Sequence, residues 1–354
     1  MMKSIRDWYE RHFSNPQVVA LALVLIVGFA LVLTLGNMLA PVLTSVVLAY
    51  LLEGVVRPLE TRGVRRTLAV VLVFVVFLAA LVFTLFGLLP LLSNQLTQFI
   101  QQLPDMIASG HKTLLLLPER YPNFISEEQV TQVIASIRTE VGALGQRVLT
   151  LSVASLVGLV VLLVYTILMP MLVFFFLKDK NRILDWISGY LPRERALSTT
   201  VWHDVDRQIG IYIRGKVWEI LIVGSVSYVT FKLMGLQYSA LLATVVGLSV
   251  LVPYIGATVA TIPVALVAFF QWGWGADFAW IIVAYLIIQA LDGNVLVPLL
   301  FSEVVDLHPI AIIVAVLLFG GIWGFWGVFF AIPLATLVQA VLKAWPRSVD
   351  AEAA

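Results

Sequence analysis

From Thr67 to Pro90 the chain carries no charged side chain. At 1.5 Å of helical rise per residue such a run reaches about 35 Å, enough to cross the roughly 30 Å hydrocarbon core of a bilayer. Predominantly apolar runs of similar length cover 18–36, 38–56, 151–177, 217–235 and 278–299, with Glu53, Glu219, Lys232 and Asp292 their only charged residues. None alternates with the period of two that a membrane β-barrel requires, so the spans read as helices. The composition agrees: the chain is 61% hydrophobic and 12% charged, with a mean hydropathy of +1.00. A soluble domain does not look like this. The net charge of +1 gives no footprint for nucleic acid, and the absence of cysteine excludes disulfides and thiolate metal sites. The first run follows a basic segment but lacks a small-x-small cleavage site before Pro41 and is read as a retained helix.

Two further apolar stretches are each broken in the middle. The first, 238–271, is interrupted at Val252-Pro253-Tyr254-Ile255-Gly256, and the second, 309–342, between Gly320 and Gly327. Similar phrases follow the breaks, Thr261-Ile262-Pro263-Val264-Ala265 and Ala331-Ile332-Pro333-Leu334-Ala335. Each half holds about 15 residues, or about 22 Å of helix, which is short for a full crossing. Paired Gly/Pro-interrupted segments of this kind point to the binding region of a secondary transporter. The expected fold is an all-α polytopic membrane protein. It has about six full spans, two oppositely oriented re-entrant hairpins and an extracytoplasmic amphipathic helical segment.

The organisation along the chain follows. Residues 1–17 form a basic, aromatic-bearing interfacial tail, and 18–90 hold the scaffold spans, with a turn at Gly36-Asn37. Residues 91–150 are amphipathic: Leu92, Leu96, Phe99, Leu103 and Met106 recur at helical spacing, as do Val130, Ile134, Ile137, Val141, Leu144 and Val148. Residues 151–215 supply the fourth span, with Pro170 as a kink, and a charged segment. Residues 216–342 are expected to be the transport domain carrying both hairpins, and 343–354 a tail. The arginine-rich loop Arg57, Arg62, Arg65, Arg66 and the basic residues of 178–215 fall on one side if the N-terminus is cytoplasmic, and the C-terminus then ends there too.

Asp292 is the candidate binding carboxylate. It stands inside an apolar span, where a charge costs roughly 2.5–3.5 kcal/mol and therefore marks a cavity or pathway. Gln289 shares its face, and Gly293 and Pro298 loosen the helix so that Asn294 and freed carbonyls join them. Such oxygens suit a proton, Na⁺ or a polyhydroxylated solute. Pro253, Tyr254 and Gly256 form the first tip; Gly320, Gly321, Gly324 and Gly327 form the second. Arg214 stands at the mouth of the fifth span, either as an anchor or to attract an anionic solute. His308 reads as a helix entry. His203, Asp204 and Asp206 read as a solvated helix face and not a metal site. The motifs of an intramembrane protease are absent: there is no paired-histidine metal motif and no second aspartate facing Asp292. The chain is therefore read as a non-enzyme without cofactor or metal.

The C-terminal half carries Tyr212-Ile213-Arg214-Gly215-Lys216, Val252-Pro253-Tyr254-Ile255-Gly256, Gln289 through Pro298, Leu307-His308-Pro309, and the Gly320–Gly327 tip with Pro333. In these motifs, their order and their spacing it resembles the autoinducer-2 exporter family of bacterial inner-membrane proteins. Lys216 stands where the family often has Gln, and Ser302-Glu303 replaces a Gly-containing turn. The resemblance implies an inner-membrane exporter, a homo-oligomer with a pentamer as the expected number. Its cargo would be a small polar solute such as autoinducer-2, with proton or sodium coupling. Some members look like Na⁺(Li⁺)/H⁺ antiporters, the first alternative; a channel or a non-transporting assembly protein is the second.

Overall fold

The computed structural model describes residues 16–114, 156–190, 196–253, 255–301 and 307–344, with a few positions between 132 and 139. The tails, the second half of the amphipathic segment and Tyr254 lie outside the described residues. Every regular element among those described is helical. Four helices are long and apolar enough to cross a membrane: Met38–Thr61, Arg66–Met106, Ile255–Trp272 and Ala276–Phe301. Shorter apolar helices cover Tyr165–Lys178, Ser239–Ser249, Pro309–Trp323 and Ala331–Val341. The chain is thus a helical protein built for a membrane. Its many exposed Val, Leu, Ile and Phe side chains suit helices whose outer faces meet lipid.

The chain divides into two compact units, one of residues 1–77, 164–216 and 300–354, the other of 78–163 and 217–299. The first unit begins with helix α1 (Pro16–Thr61). The turn expected at Gly36-Asn37 is absent, and α1 runs through both residues without a break. Gly and Asn lower helix propensity but remove no donor, so they do not end a helix whose backbone has no water to turn to. The reading of the N-terminus as cytoplasmic depended on that turn and loses its support.

Helix α2 (Arg66–Phe83) follows. Glu53 and Glu60 of α1 meet Arg66 at its start: Arg66 Nη2 lies 3.3 Å from Glu53 Oε2, and Arg66 Nη1 3.1 Å from Glu60 Oε1. Arg66 Nη2 also donates to Leu177 O (2.9 Å) in helix α4 (Leu156–Lys178), and Lys180 Nζ, in helix α5 (Lys180–Gly189), lies 3.0 Å from Glu53. Two acids, two bases and one carbonyl thus join four helices beside the apolar cluster of Val56, Val70, Val73, Val173 and Leu177. A guanidinium fork can serve two carboxylates and a carbonyl at once, and a lysine ammonium has no such planar geometry.

The second unit takes the chain from Leu78. Between α2 and helix α3 (Leu89–Leu114) the backbone widens into a π turn, Thr84–Leu88, where Leu89 N–H donates to Thr84 O. A second π turn, Asp292–Leu296, separates helix α9 (Ala276–Leu291) from α10 (Val297–Phe301), with Val297 N–H donating to Asp292 O. Both turns are followed by proline, Pro90 and Pro298. A proline cannot donate to the carbonyl four residues back and its ring collides with it. Those carbonyls belong to Phe86 and Asn294, in the middle of each turn, and the widened turn moves them aside. The looseness expected at Gly293 and Pro298 is therefore a π turn and not an end to the helix.

The stripe Leu92, Leu96, Phe99, Leu103, Met106 on α3 is the less exposed face, and Phe99 meets Tyr238 edge-on at 5.5 Å. Helix α6 (Ala196–Leu233) crosses α7 (Ser239–Ser249) at Gly224 and Gly247, where a side chain on Gly247 would come within 3.0 Å of Ile220 O. The first hairpin is α7 and helix α8 (Ile255–Trp272). Its turn from α6 is held by Gln271, whose Oε1 accepts from Gln237 N–H (2.9 Å) and whose Nε2 donates to Gly235 O (2.8 Å). Gln95 Oε1 caps α7 by accepting from Leu241 N–H (2.8 Å). These amides satisfy end groups that water would satisfy in a soluble protein.

The second hairpin lies in the first unit: α11 (Pro309–Trp323), the short α12 (Phe325–Phe329) and α13 (Ala331–Ala344). His308 caps α11, its Nδ1 accepting from Ile310 N–H at 3.3 Å, and Pro309 fills the first helical position. The break is narrower than expected. Gly320 and Gly321 lie within α11, and the chain turns at Gly324 (φ 59°, ψ −132°), a conformation open to glycine alone.

The two tips close alike. A Cβ on Gly256 would run into the backbone carbonyl of Ser249, and one on Gly327 into that of Phe319. Gly256→Ala is expected to lower stability by about 1–3 kcal/mol or more, because neither backbone can give way. Gly321→Ala, with nothing within 4 Å of the added carbon, is expected to be neutral or slightly stabilising. Tryptophan-monitored melting of the two purified variants in detergent checks the contrast.

Candidate functional site

The polar centre of the second unit lies where α8 packs on α9. Tyr285 of α9 is fully buried (0% exposed). Its hydroxyl donates to Ala257 O (2.7 Å) at the start of α8, and Thr261 Oγ1 lies 3.3 Å from it while bonding Ala257 O at 2.8 Å. Small residues on α8 permit this approach: Gly256 and Ala260 are buried, and Ala257 and Thr261 turn towards the tyrosine. Close approach through small residues and interhelical hydrogen bonds are the main sources of helix association in lipid.

Beside this contact is a groove of about 430 Å³. Ala257, Ile262, Ala265 and Leu286 form its apolar walls, and Thr258, Thr261, Tyr285 and Gln289 its polar groups. No charged side chain lines it. Gln289 Nε2 is withdrawn from solvent and has no hydrogen-bond partner among the described residues. A buried amide N–H of this kind carries a desolvation cost of about 1–3 kcal/mol until an acceptor reaches it. The groove sets hydroxyl and amide side chains between apolar walls, a lining of the kind that suits a neutral polar solute.

The residues expected to form the site are only partly brought together. Gln289 lines the groove. Asp292 lies one turn further on, in the π turn, half-buried with its Oδ1 withdrawn from solvent, and is not part of the groove lining. Asn294 is exposed and its Nδ2 donates back to Ala290 O (2.8 Å), so its amide bridges its own helix. Pro253 sits at the first tip and Gly256 closes it against Ser249. Tyr254 falls outside the described residues. Tyr285 and the Thr258/Thr261 pair were not singled out as site residues, although hydroxyls at helical spacing in apolar runs are a legible signal.

In the first unit Arg214 lies along α6 against α1. A Cβ on Gly54 would meet its Cδ at 2.6 Å, and one on Gly210 would meet its Nη1 at 3.2 Å. Tyr50 of α1 donates to Asp206 nearby (2.9 Å to Oδ1), so Asp206 has a structural partner and is not merely a solvated charge. Lys216 is also unlike an interfacial anchor: it is 6% exposed, with Nζ 5.3 Å from the Phe301 ring centroid. Gly215 makes room for that ring, since a Cβ there would meet Phe301 Cε1 at 2.5 Å. Among the described residues no group of three or more His, Asp or Glu is placed to hold a metal.

A helical membrane protein with a proline-loosened span, glycine-closed hairpins and a neutral polar groove is built as a membrane transporter. Its sequence carries the same conclusion further. The model of the AI-2E family transporters matches residues 20–347, and the chain belongs to that family. It is 47% identical over 346 residues, 98% of each chain, to the candidate permease PerM of Escherichia coli (strain K12). It is 26% identical over 342 residues to the candidate transport protein YueF of Bacillus subtilis (strain 168), covering 93% of this chain and 92% of the other. A candidate transport protein of Thermotoga maritima is 23% identical over 326 residues, 92% of this chain and 93% of the relative.

Two substitutions separate architecture from binding. Tyr285→Phe removes one interhelical hydrogen bond and is expected to cost about 1 kcal/mol of stability. Gln289→Leu removes the waiting donor without opening a cavity and is expected to leave the melting temperature unchanged or slightly raised. Melting curves of both variants, set beside solute flux, test the assignment.

Proposed function

We propose that this protein is a secondary transporter that exports a small polar, uncharged solute by alternating access of an elevator-like kind, with autoinducer-2 as the leading candidate. The observation that carries the reading is the groove on α8 and α9, lined by Gln289 and the hydroxyls of Thr258 and Thr261 with no charged lining residue. Transport family membership supports the class. The acid at Asp292 supports coupling to a proton or sodium ion, because a carboxylate inside a span is costly unless it serves such a role. In this reading the solute meets Gln289, Thr258 and Thr261, and the ion meets Asp292.

The Na⁺/H⁺ antiporter reading is favoured by the same observation on Asp292. It makes the carboxylate the ligand of the transported ion and the groove a secondary feature. A channel or an assembly protein is the remaining alternative. In the proposed reading the protein sits in the bacterial inner membrane as a homo-oligomer, a pentamer by expectation. The Arg57–Arg66 loop and the C-terminal end face the cytoplasm by the distribution of their basic residues. The broken stretches are read as re-entrant, and Arg214 is kept as part of the architecture of its unit.

Proteoliposome flux tests the proposal. Saturable autoinducer-2 flux driven by an imposed proton or sodium gradient is expected, with Asp292→Asn abolishing the gradient dependence and Gln289→Leu weakening flux about tenfold or more. Gradient-driven Na⁺/H⁺ exchange without autoinducer-2 flux moves the protein to the antiporter reading. Flux of neither kind refutes both.

A further inference from the structure

The short helix α5 has a face that no described residue of its unit covers. Helix α4 is apolar to its last residue and ends at Lys178; after Asp179 the chain turns at once into α5, Lys180–Gly189. A helix that starts one residue beyond the end of an apolar membrane helix is held by the chain at the level of the lipid headgroups. At 100° per residue, Ile183, Leu184, Trp186, Ile187 and the capping Tyr190 fall within about 160° of arc, and Asn181, Asp185, Ser188 and Gly189 fall opposite. This is a full amphipathic pattern in a helix too polar to enter the membrane.

Part of the apolar arc turns to the protein: Lys180 pairs with Glu53 and Ile183 is half-buried. The rest does not. Leu184, Trp186, Ile187 and Tyr190 are all exposed, Trp186 at 64% and Tyr190 at 77%, and these two rings pack edge-on at 5.2 Å to form one continuous surface. Tryptophan and tyrosine are the residues that settle at the boundary between headgroups and acyl chains. Arg182 borders the arc next to Trp186 and is exposed, as is Lys178 at the end of α4. An apolar arc flanked by the exposed cations Arg182 and Lys178, on a helix fixed at headgroup level, fits an anionic lipid surface.

We propose that α5 is an interfacial anchor, docking Leu184, Trp186, Ile187 and Tyr190 into the headgroup boundary of an anionic leaflet while Arg182 and Lys178 bind lipid phosphates. It fixes the depth of α4 in the bilayer, and through the Lys180–Glu53–Arg66 network it ties α1 and α2 to that depth.

The chain contains no cysteine, so single-cysteine variants of the full protein carry spin labels without background. Labels at Asn181, Leu184, Asp185 and Ile187 are compared in proteoliposomes containing phosphatidylglycerol. Leu184 and Ile187 labels are expected to be reached by oxygen and shielded from a water-soluble nickel chelate, with the reverse at Asn181 and Asp185. Adding Arg182→Gln and Lys178→Gln is expected to raise nickel access at Leu184 and Ile187 several-fold in phosphatidylglycerol vesicles, with little change in phosphatidylcholine. Equal nickel access at all four positions overturns the proposal. So does shielding from both reagents with spin–spin coupling between copies, which would show a second copy on this face. An unchanged tryptophan melting curve for each labelled variant confirms that the fold is intact.

Discussion

No water reaches the core of a bilayer, so a backbone N–H or C=O left unpaired there costs several kcal/mol. The described structure follows from this constraint. Several of the places where the described chain departs from a straight helix carry a device that keeps backbone groups satisfied or lets them lie together. At Pro90 and Pro298 the device is a π turn, which keeps the helix going while the carbonyl facing the proline ring moves out. At the end of α6 and the start of α7 it is a pair of glutamines, Gln271 and Gln95, which supply the hydrogen bonds of the turn and of the first helical turn. At α11 it is His308.

The hairpins show the steric side of the same demand. Two helices that must lie close without solvent between them need a point where backbone meets backbone. Gly256 against Ser249 and Gly327 against Phe319 provide it. The two tips belong to different compact units, yet they use the same residue type in the same role. The likeness of the two broken stretches thus has a physical content: a glycine a short way past the break and a proline further along the chain.

Charge is handled in two ways. In the first unit acids and bases are joined: Glu53 and Glu60 share Arg66, and Lys180 closes the set. Breaking one member of such a set leaves another as an uncompensated charge, so the set fixes four helices together more by the cost of separation than by its net attraction. In the second unit the groove avoids charge and offers hydroxyls and an amide.

The sequence by itself determined the class. Long uncharged runs without period-two alternation admit only membrane helices, and the Gly/Pro breaks located both hairpin turns to within a few residues. It also located the strain at Pro298 and the helix entry at His308, because proline's missing donor acts locally. The tertiary structure decided what depends on distant partners. Gly36-Asn37 has the composition of a turn but lies inside a helix, since no local residue removes a hydrogen bond there. Gly320 and Gly321 read like Gly324 and Gly327, yet only Gly324 turns the chain and only Gly327 meets a backbone. Arg66 read as one of four loop arginines until Glu53, Glu60 and Leu177 converged on it. Asn294 and Gln289 read alike beside Asp292, but Asn294 spends its amide on its own helix while Gln289 lines the groove. Hydropathy and breaker residues act within one turn of the chain and can be read in order. Which amide stays free, which glycine is pressed and which arginine is surrounded is fixed only when separate helices meet.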